Sequence, residues 1–234
     1  MAVSSVGAIP RAVDWALLTP LPETERQQLL ARTRRRAYAR NEVLVREGDP
    51  SDSLHLVEQG RLAVRVDTAA GDTALLNVIG PADWFGELSL LGSGNPTRTA
   101  TVVALEPATT RSLTTAAFTE LRERHPATGE LLLMLLARRV DELSSRLVEA
   151  MFDSLERRVH RRLLDLVRVY GGCDGDPGRP VTVPLTQEQL AGLVGSTRPS
   201  VNEVLQKLAR HGVVELGRGR VVVHQPHLLV RRAS

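Results

Sequence analysis

Between Ala37 and Val103 apolar or β-branched side chains recur at every second position: Val43 and Val45, Leu54 and Leu56, Leu62, Val64 and Val66, Leu76 and Val78, then Thr99, Thr101 and Val103. A period of two marks strands. Turn signals at Gly48-Asp49, Gly60, Gly71-Asp72 and Gly80-Pro81 are 12, 11 and 9 residues apart, the rhythm of an antiparallel barrel or sandwich. A helix is expected before this region, over Leu21 to Arg36, with Pro22 and Glu23 at its start and Arg32, Arg34, Arg35 and Arg36 at its end, where cations suit the dipole. Helical signals return from Thr114 and culminate in Glu130 to Phe152. There Leu136, Val140, Leu143, Leu147 and Ala150 alternate spacings of four and three, the seam of a coiled coil. This stripe implies a partner helix, since Leu132, Leu133 and Leu135 offer a second face toward the strands of the same chain; the alternative is that the stripe itself packs on those strands. A further amphipathic helix over Ser154 to Tyr170 turns Leu155, Val159, Leu163, Leu166 and Val167 inward and Arg157, Arg158, Arg161 and Arg162 mostly outward. Gly171 to Pro180 reads as a loop; Asp174 and Asp176 resemble the start of a calcium loop, but its twelfth position is Leu185 instead of Glu, which argues against a metal there.

The next segment carries several start signals at once. Thr186 and Gln189 form a capping box, Leu185 and Leu190 a hydrophobic staple, and a helix is expected from Gln187. Counted from Gln187, Ala191 is fifth, Gly195 ninth, Val201 fifteenth and Val204 eighteenth. Those are the places where a helix-turn-helix needs a small residue at the crossing, a turn residue tolerating positive φ, and branched apolar residues on the second helix. Thr197 can cap that second helix and Pro199 is tolerated in its first turn. Val201, Val204, Leu205 and Leu208 make a buried face and leave Arg198, Ser200, Asn202, Glu203, Gln206 and Lys207 outside. Such a face suits groove reading: arginine reaches guanine O6 and N7, and glutamate accepts from cytosine N4. Val213 to Val223 then gives two short strands around Gly217 and Gly219, a wing with Arg218 and Arg220 near its tip. The DNA-facing set is Thr186, Gln187, Thr197, Arg198, Ser200, Asn202, Glu203, Lys207 and Arg218.

Composition narrows the class. The chain has 234 residues, 42% hydrophobic and 24% charged, with net charge +3, a globular composition. From Asp153 onward 13 basic residues face 8 acidic ones, so the basic excess lies wholly in the C-terminal third, as suits a second domain that meets a polyanion. The single cysteine, Cys173, can form neither an internal disulfide nor a thiolate-ligated iron–sulfur cluster. No apolar run approaches a membrane span and the first residues lack a signal-peptide pattern, so a cytoplasmic protein is expected. A metal-dependent β-barrel enzyme needs clustered histidines, whereas His55 stands alone in the strand region. No catalytic residue, metal or haem is expected.

One stretch breaks the strand rhythm: Trp84-Phe85-Gly86-Glu87-Leu88-Ser89-Leu90-Leu91, a Gly-containing gap, then Arg98-Thr99-Ala100-Thr101-Val102. A helical turn entered through glycine presents free N–H groups, and an arginine beyond the loop can face the same spot, which together suit an anion. Glu87 would repel a phosphate and is better matched to a neutral hydroxyl such as that of a ribose. A capped turn with a Glu87–Arg98 ion pair remains open from these residues alone.

With FGELSLL and RTATV, the REGDPSD and VEQGRLAV turns and the helix-turn-helix pattern, nearly the whole chain resembles the superfamily of the cyclic AMP receptor protein and the fumarate-nitrate regulator (CRP/FNR). The resemblance implies an α+β chain: an N-terminal segment (1–20), a cyclic nucleotide-binding β-roll of antiparallel jelly-roll type (21–126), a dimerisation helix (127–153), and a winged helix-turn-helix DNA-binding domain (154–234). It places the cassette glutamate on Glu87 against the ribose 2′-hydroxyl, the phosphate-binding arginine on Arg98 and a small hydroxyl on Thr99, with Gly86, Leu88 and Ser89 in the same cassette. It implies cyclic AMP as effector, with cyclic GMP as alternative, a homodimer through residues 130–152, double-stranded DNA with a palindromic operator, and RNA polymerase as partner. Leu143 and Ser144 fall where cyclic-AMP-dependent members carry a threonine and a serine that touch adenine, the serine from the opposite subunit. On the second helix the leading arginine is kept as Arg198, but Pro199 replaces a glutamate and Glu203 an arginine, so a different DNA half-site is expected. The alternative is the same DNA reader with a sensor that is vestigial or tuned to another ligand.

Overall fold

A computed structural model describes residues 13–68, 73–90, 96–171 and 179–233. The loop aspartates Asp174 and Asp176, together with Cys173, lie outside them. Helix α1 (Glu23–Arg32) carries Glu23 and Glu25 in its first turn and Arg32 in its last, and it ends four residues before the expected Arg36. Thr33 is already extended, its hydroxyl donates to Leu30 O at 2.6 Å, and β1 (Arg34–Tyr38) follows. Pairing overrides helix propensity here: β1 runs antiparallel to β8 (Ala108–Thr114), Arg34 opposite Ser112 and Tyr38 opposite Ala108. The arginine run is therefore a strand whose side chains alternate between two faces.

Between them lie β2 (Val43–Val45), β3 (Ser53–Gln59), β4 (Leu62–Asp67), β5 (Thr73–Ile79), β6 (Trp84–Phe85) and β7 (Thr101–Ala104). They form two four-stranded antiparallel sheets, β1-β8-β3-β6 and β2-β7-β4-β5. Tyr38, Val57, Leu62, Ile79, Phe85, Val102, Ala104 and Ala108 close the core between the sheets. On the outer face of the first sheet, Leu54, Leu56 and Leu113 pack with Trp15, Leu17, Leu18, Leu29, Phe118 and Leu132. Those residues come from the entry segment, α1, α2 (Thr115–Arg124) and the 27-residue α3 (Pro126–Phe152). The expected second face of the long helix is thus real for Leu132, which is 2% exposed, while Leu133 is 63% exposed.

Helix α4 (Leu155–Gly171) leads into β9 (Val181–Val183), α5 (Gln187–Val194), α6 (Arg198–Arg210), the hairpin β10 (Val214–Gly217) and β11 (Arg220–Val223), and α7 (Pro226–Ala233). Its arginines are mostly engaged: Arg157 with Asp153, Arg161 with Glu149 and Asp153, Arg162 with Glu149 and Asp165, and Arg158 donates to Val194 O at 2.6 Å. The winged-helix core does not stop at its own elements. Ala63, Leu75, Val78 and Leu105 of the roll belong to the same buried cluster as Val159, Leu163, Leu190, Val201 and Leu205. A bulge between Val64 and Arg65 resets the β4–β5 register, so Leu75 turns in to that cluster and Leu76 is 49% exposed. Gly192 of α5 lies so close to β5 that a Cβ there would sit 3.0 Å from Thr73 O.

Candidate nucleotide pocket and DNA-reading surface

After β6 the chain turns through Gly86 at φ +85° into a short helical turn, Glu87–Leu90. No other residue type fits at Gly86: the conformation is left-handed, and a Cβ would meet Arg98 Nη1 at 2.2 Å and Ser53 O at 2.7 Å. Arg98 is only 6% exposed. Its Nη1 donates to Ser53 O at 2.9 Å and its Nη2 to Ser53 Oγ at 3.1 Å, while Nε is buried without a partner among the described residues. Burial lowers its pKa, an effect opposed by the charges of Asp52, Glu87 and Asp49. Its backbone is pinned as well, N–H to Asp49 O and O from Gly48 N–H, both at 2.8 Å. No Glu87–Arg98 ion pair forms among the described residues, so Glu87 stays available.

Gly86, Glu87, Leu88, Arg98 and Thr99 line one cavity of about 90 Å³ together with Arg139 of α3. A larger cavity of about 420 Å³ runs on between β5 and α3; it shares Ile79, Trp84, Glu87 and Arg139 with the first and reaches Glu142, Arg146 and α4. The side chain of Ser89 is outside the described set. Leu143 and Ser144 line neither cavity; Leu143 is 55% exposed and Ser144 is exposed too. Helix α3 instead turns Leu135, Arg139, Glu142 and Arg146 toward the roll. Sequence reasoning missed Arg139, although a step of four from Leu135, already assigned to the roll-facing side, points to it. It missed Asp83 too. That carboxyl accepts the Gly80 N–H at 2.8 Å, and its pKa is raised mainly by burial. Arg146 donates to Leu76 O at 3.0 Å, tying α3 to β5.

The reader at the other end assembles as its caps dictate. The Thr186 hydroxyl accepts from Gln189 N–H, and the Gln189 side chain accepts from Thr186 N–H. Gly195 closes α5 in the left-handed region at φ 62°, and the Thr197 hydroxyl accepts from Ser200 N–H at the start of α6. Val201, Leu205 and Leu208 are fully buried, which leaves Arg198, Glu203 and Gln206 exposed. Lys207 and Glu203 lie 3.7 Å apart on that face. Gln187 and Ser200 are part-exposed. Asn202 departs from its expected outward place: it is part-buried, and its Oδ1 is covered without a partner among the described residues. Arg218 and Arg220 are exposed at the hairpin turn, where Gly219 has φ 69°. Among the described residues no helix is long and apolar enough to cross a membrane, and no cluster of three or more metal-ligating side chains forms.

Residues 35–125 match the cyclic nucleotide-binding domain family and residues 157–232 the Crp-like helix-turn-helix domain family. A CRP-like cAMP-activated global transcriptional regulator of Mycobacterium tuberculosis is 33% identical over 196 residues, 84% of this chain and 86% of that one. The cyclic AMP receptor protein of Thermus thermophilus is 33% identical over 195 residues, 83% and 86%. Among solved structures, the catabolite activator protein of Thermus thermophilus covers 93% of this chain and 98% of its own at 32% identity and TM-score 0.53. A c-di-GMP-responsive global regulator of Xanthomonas campestris matches in fold, with TM-score 0.73 at 21% identity over 87% of this chain and 99% of its own. These relatives are transcriptional regulators, not enzymes. A nucleotide-type cassette under a β-roll, a long helix beside it and a winged helix-turn-helix behind it, in that order and with that likeness, make the chain a member of the CRP/FNR superfamily of transcriptional regulators.

Proposed function

We propose that the protein is a homodimeric, DNA-binding transcriptional regulator whose effector is a cyclic nucleotide, cyclic AMP first, with cyclic GMP as the alternative. The observation that carries this reading is the continuity of the two cavities through Trp84, Glu87 and Arg139. The small one suits a cyclic phosphate and ribose, held by Arg98, Gly86, Leu88, Thr99 and Glu87. The larger one extends along α3 and leaves room for a base beside it. Arg98 supplies the phosphate charge once it leaves Ser53, and a charge-assisted hydrogen bond of this kind is worth about 1.5–3 kcal/mol. Ser144 acts from the opposite subunit, while Leu143, which lines neither cavity of its own protomer, lacks the hydroxyl that a base contact would use.

Dimerisation through residues 130–152 rests on the apolar surface that α3 leaves open: Val140, Leu143 and Leu147 are 55–62% exposed. Two copies of α6 related by the dimer axis would enter successive major grooves about 34 Å apart, which calls for a palindromic operator. Arg198, Ser200, Glu203, Lys207 and Arg218 are the DNA contacts, with Thr186, Gln187 and Thr197 at helix starts facing phosphate. The nucleotide favours the DNA-competent arrangement through its differential affinity for two states of the dimer. RNA polymerase is the partner this role requires, and the cytoplasm its place.

Titration calorimetry with cyclic AMP and cyclic GMP, followed by DNA selection with and without the tighter ligand, tests the whole. Arg98→Ala should weaken nucleotide binding ten- to a hundredfold. Unchanged affinity would sink the assignment. The hold of Ser53 on Arg98 and the absence of a hydroxyl at Leu143 favour a second reading, a sensor that is vestigial or tuned to another ligand; DNA selection that succeeds while both nucleotides fail to bind would support it.

A further inference from the structure

The inner face of a two-sheet roll is ordinarily apolar, yet one end of the first sheet is not. Strand alternation puts Arg34 and Arg36 on the inner side of β1 and Arg35 on the outer, where Arg35 pairs with Glu58. Register then draws two polar rows across the sheet, Arg34–Ser112–His55 and Arg36–Thr110. These rows floor a cavity of about 410 Å³, roofed by Leu44 and Val45 of β2 and by the Asp49–Ser53 segment, with Arg98 in its wall. Arg98 thus separates this cavity from the cassette, seen from its back.

The cavity is rich in donors that lack acceptors. Arg98 Nε and His55 Nδ1 are both buried with no partner among the described residues, and His55 is 9% exposed. The imidazole stacks on Phe85 at 4.7 Å and 5°, and its Nε2 faces the Arg98 guanidinium at 3.5 Å. A guanidinium only donates, so as a hydrogen bond this contact has Nε2 accepting and the proton on the buried Nδ1; Nε2 also lies 3.4 Å from Ser53 Oγ. Arg34 has no ion-pair partner among the described residues, whereas Arg36 is held by Glu42 at 3.1 Å and Arg32 meets Glu120 at 3.6 Å. The lining sets four arginines, Arg32, Arg34, Arg36 and Arg98, against two carboxylates, Asp49, which accepts Arg46 N–H, and Asp52, which accepts the Ser53 hydroxyl. That excess of cations over carboxylates makes an electropositive hollow, and a buried donor without an acceptor is costly.

We infer that this hollow is a second ligand site, distinct from the cassette, for a small metabolite bearing two or more anionic oxygens, bound by Arg34, Ser112, His55 and the back of Arg98. Phosphoryl and carboxylate groups share that chemistry, and the probes distinguish them. Inorganic pyrophosphate and citrate are titrated separately into the full-length protein at low salt by calorimetry, with no nucleotide present. The outcome therefore does not depend on what the cassette binds. Binding of either probe is expected, the tighter one naming the group, and Arg34→Ala should weaken it about tenfold. Arg35→Ala removes the same charge one residue along the same strand but on the other face, and should leave affinity within twofold; both residues are exposed, so the roll keeps its fold. Failure of both probes to bind, or equal weakening by the two variants, would overturn the site and assign any residual effect to net charge.

Discussion

The exposed stripe of α3 allows a quantitative test of dimerisation. Leu143 is 55% exposed and Leu147 is 62% exposed, and fully burying a leucine contributes about 1.5–3 kcal/mol. Covering what remains open is therefore worth about 1–2 kcal/mol per residue. A twofold interface counts each residue twice, so the pair stands for about 4–7 kcal/mol of the dimer's association energy. Leu143→Glu/Leu147→Glu forfeits that sum and adds four carboxylates to a desolvated seam, so the dissociation constant should rise a thousandfold or more. Neither residue belongs to a buried cluster of the protomer, so the variant should keep its circular dichroism and its thermal unfolding in the monomeric state. Sedimentation equilibrium on both proteins across the micromolar range reads the constant directly. A wild-type chain that stays monomeric at tens of micromolar, or a variant that associates as tightly as wild type, would refute the reasoning.

Other expectations follow from single positions. Burial, aided by the Arg98 charge, pushes His55 down to about 4, so between pH 6.5 and 4 the unfolded chain takes up a proton that the folded chain refuses. Stability from this group is full above pH 6.5 and falls by about 3 kcal/mol as the pH drops to 4; urea titrations of wild type and His55→Gln should diverge in that window, and parallel curves would refute it. Gly195→Ala forces a Cβ into φ 62° and should cost about 1 kcal/mol, read as a lowered urea midpoint. Thr197→Ala removes the α6 cap and should cost about 0.5–2 kcal/mol, with a weaker gel shift and no change in nucleotide affinity. Leu75→Ala empties a site 6% exposed and should cost about 2–5 kcal/mol, with the winged helix and the roll losing stability together in hydrogen exchange.

Much of the architecture was legible because local signals agreed with tertiary ones. The capping box at Thr186, the left-handed Gly195 and the apolar spacing of Val201, Val204 and Leu208 each fix local geometry, and each stands as read. The Gly86 turn was legible for the same reason: a glycine before a helical turn has few alternatives. Failures came where pairing partners distant in sequence decide. The Arg34–Arg36 run reads as a helix end until β8 offers a ladder, and no local feature announces that strand. The placement of Leu75 depends on a bulge in β5, where Leu76 has no partner on β4. Arg139 is not marked by apolar spacing, because the helical period flags hydrophobic positions and passes over a charged residue on the inner side of α3. Asn202 differs again, since its outward place follows from helical period alone and its covered oxygen reflects how α6 seats on its neighbours.

The boundary drawn through the chain near Asp153 separates two folding patterns but not two interiors. Because Leu75 and Val78 complete the packing around Leu190 and Val204, a fragment carrying only the last third would expose a raw apolar wound where the β4–β5 hairpin had been, and the hairpin would lose its cover in turn. The helix-turn-helix is therefore not a passenger on a hinge: its first helix rests through Gly192 on the backbone of the roll, and any swing toward an operator must peel it off a surface with no slack, trading one contact for another instead of drifting freely.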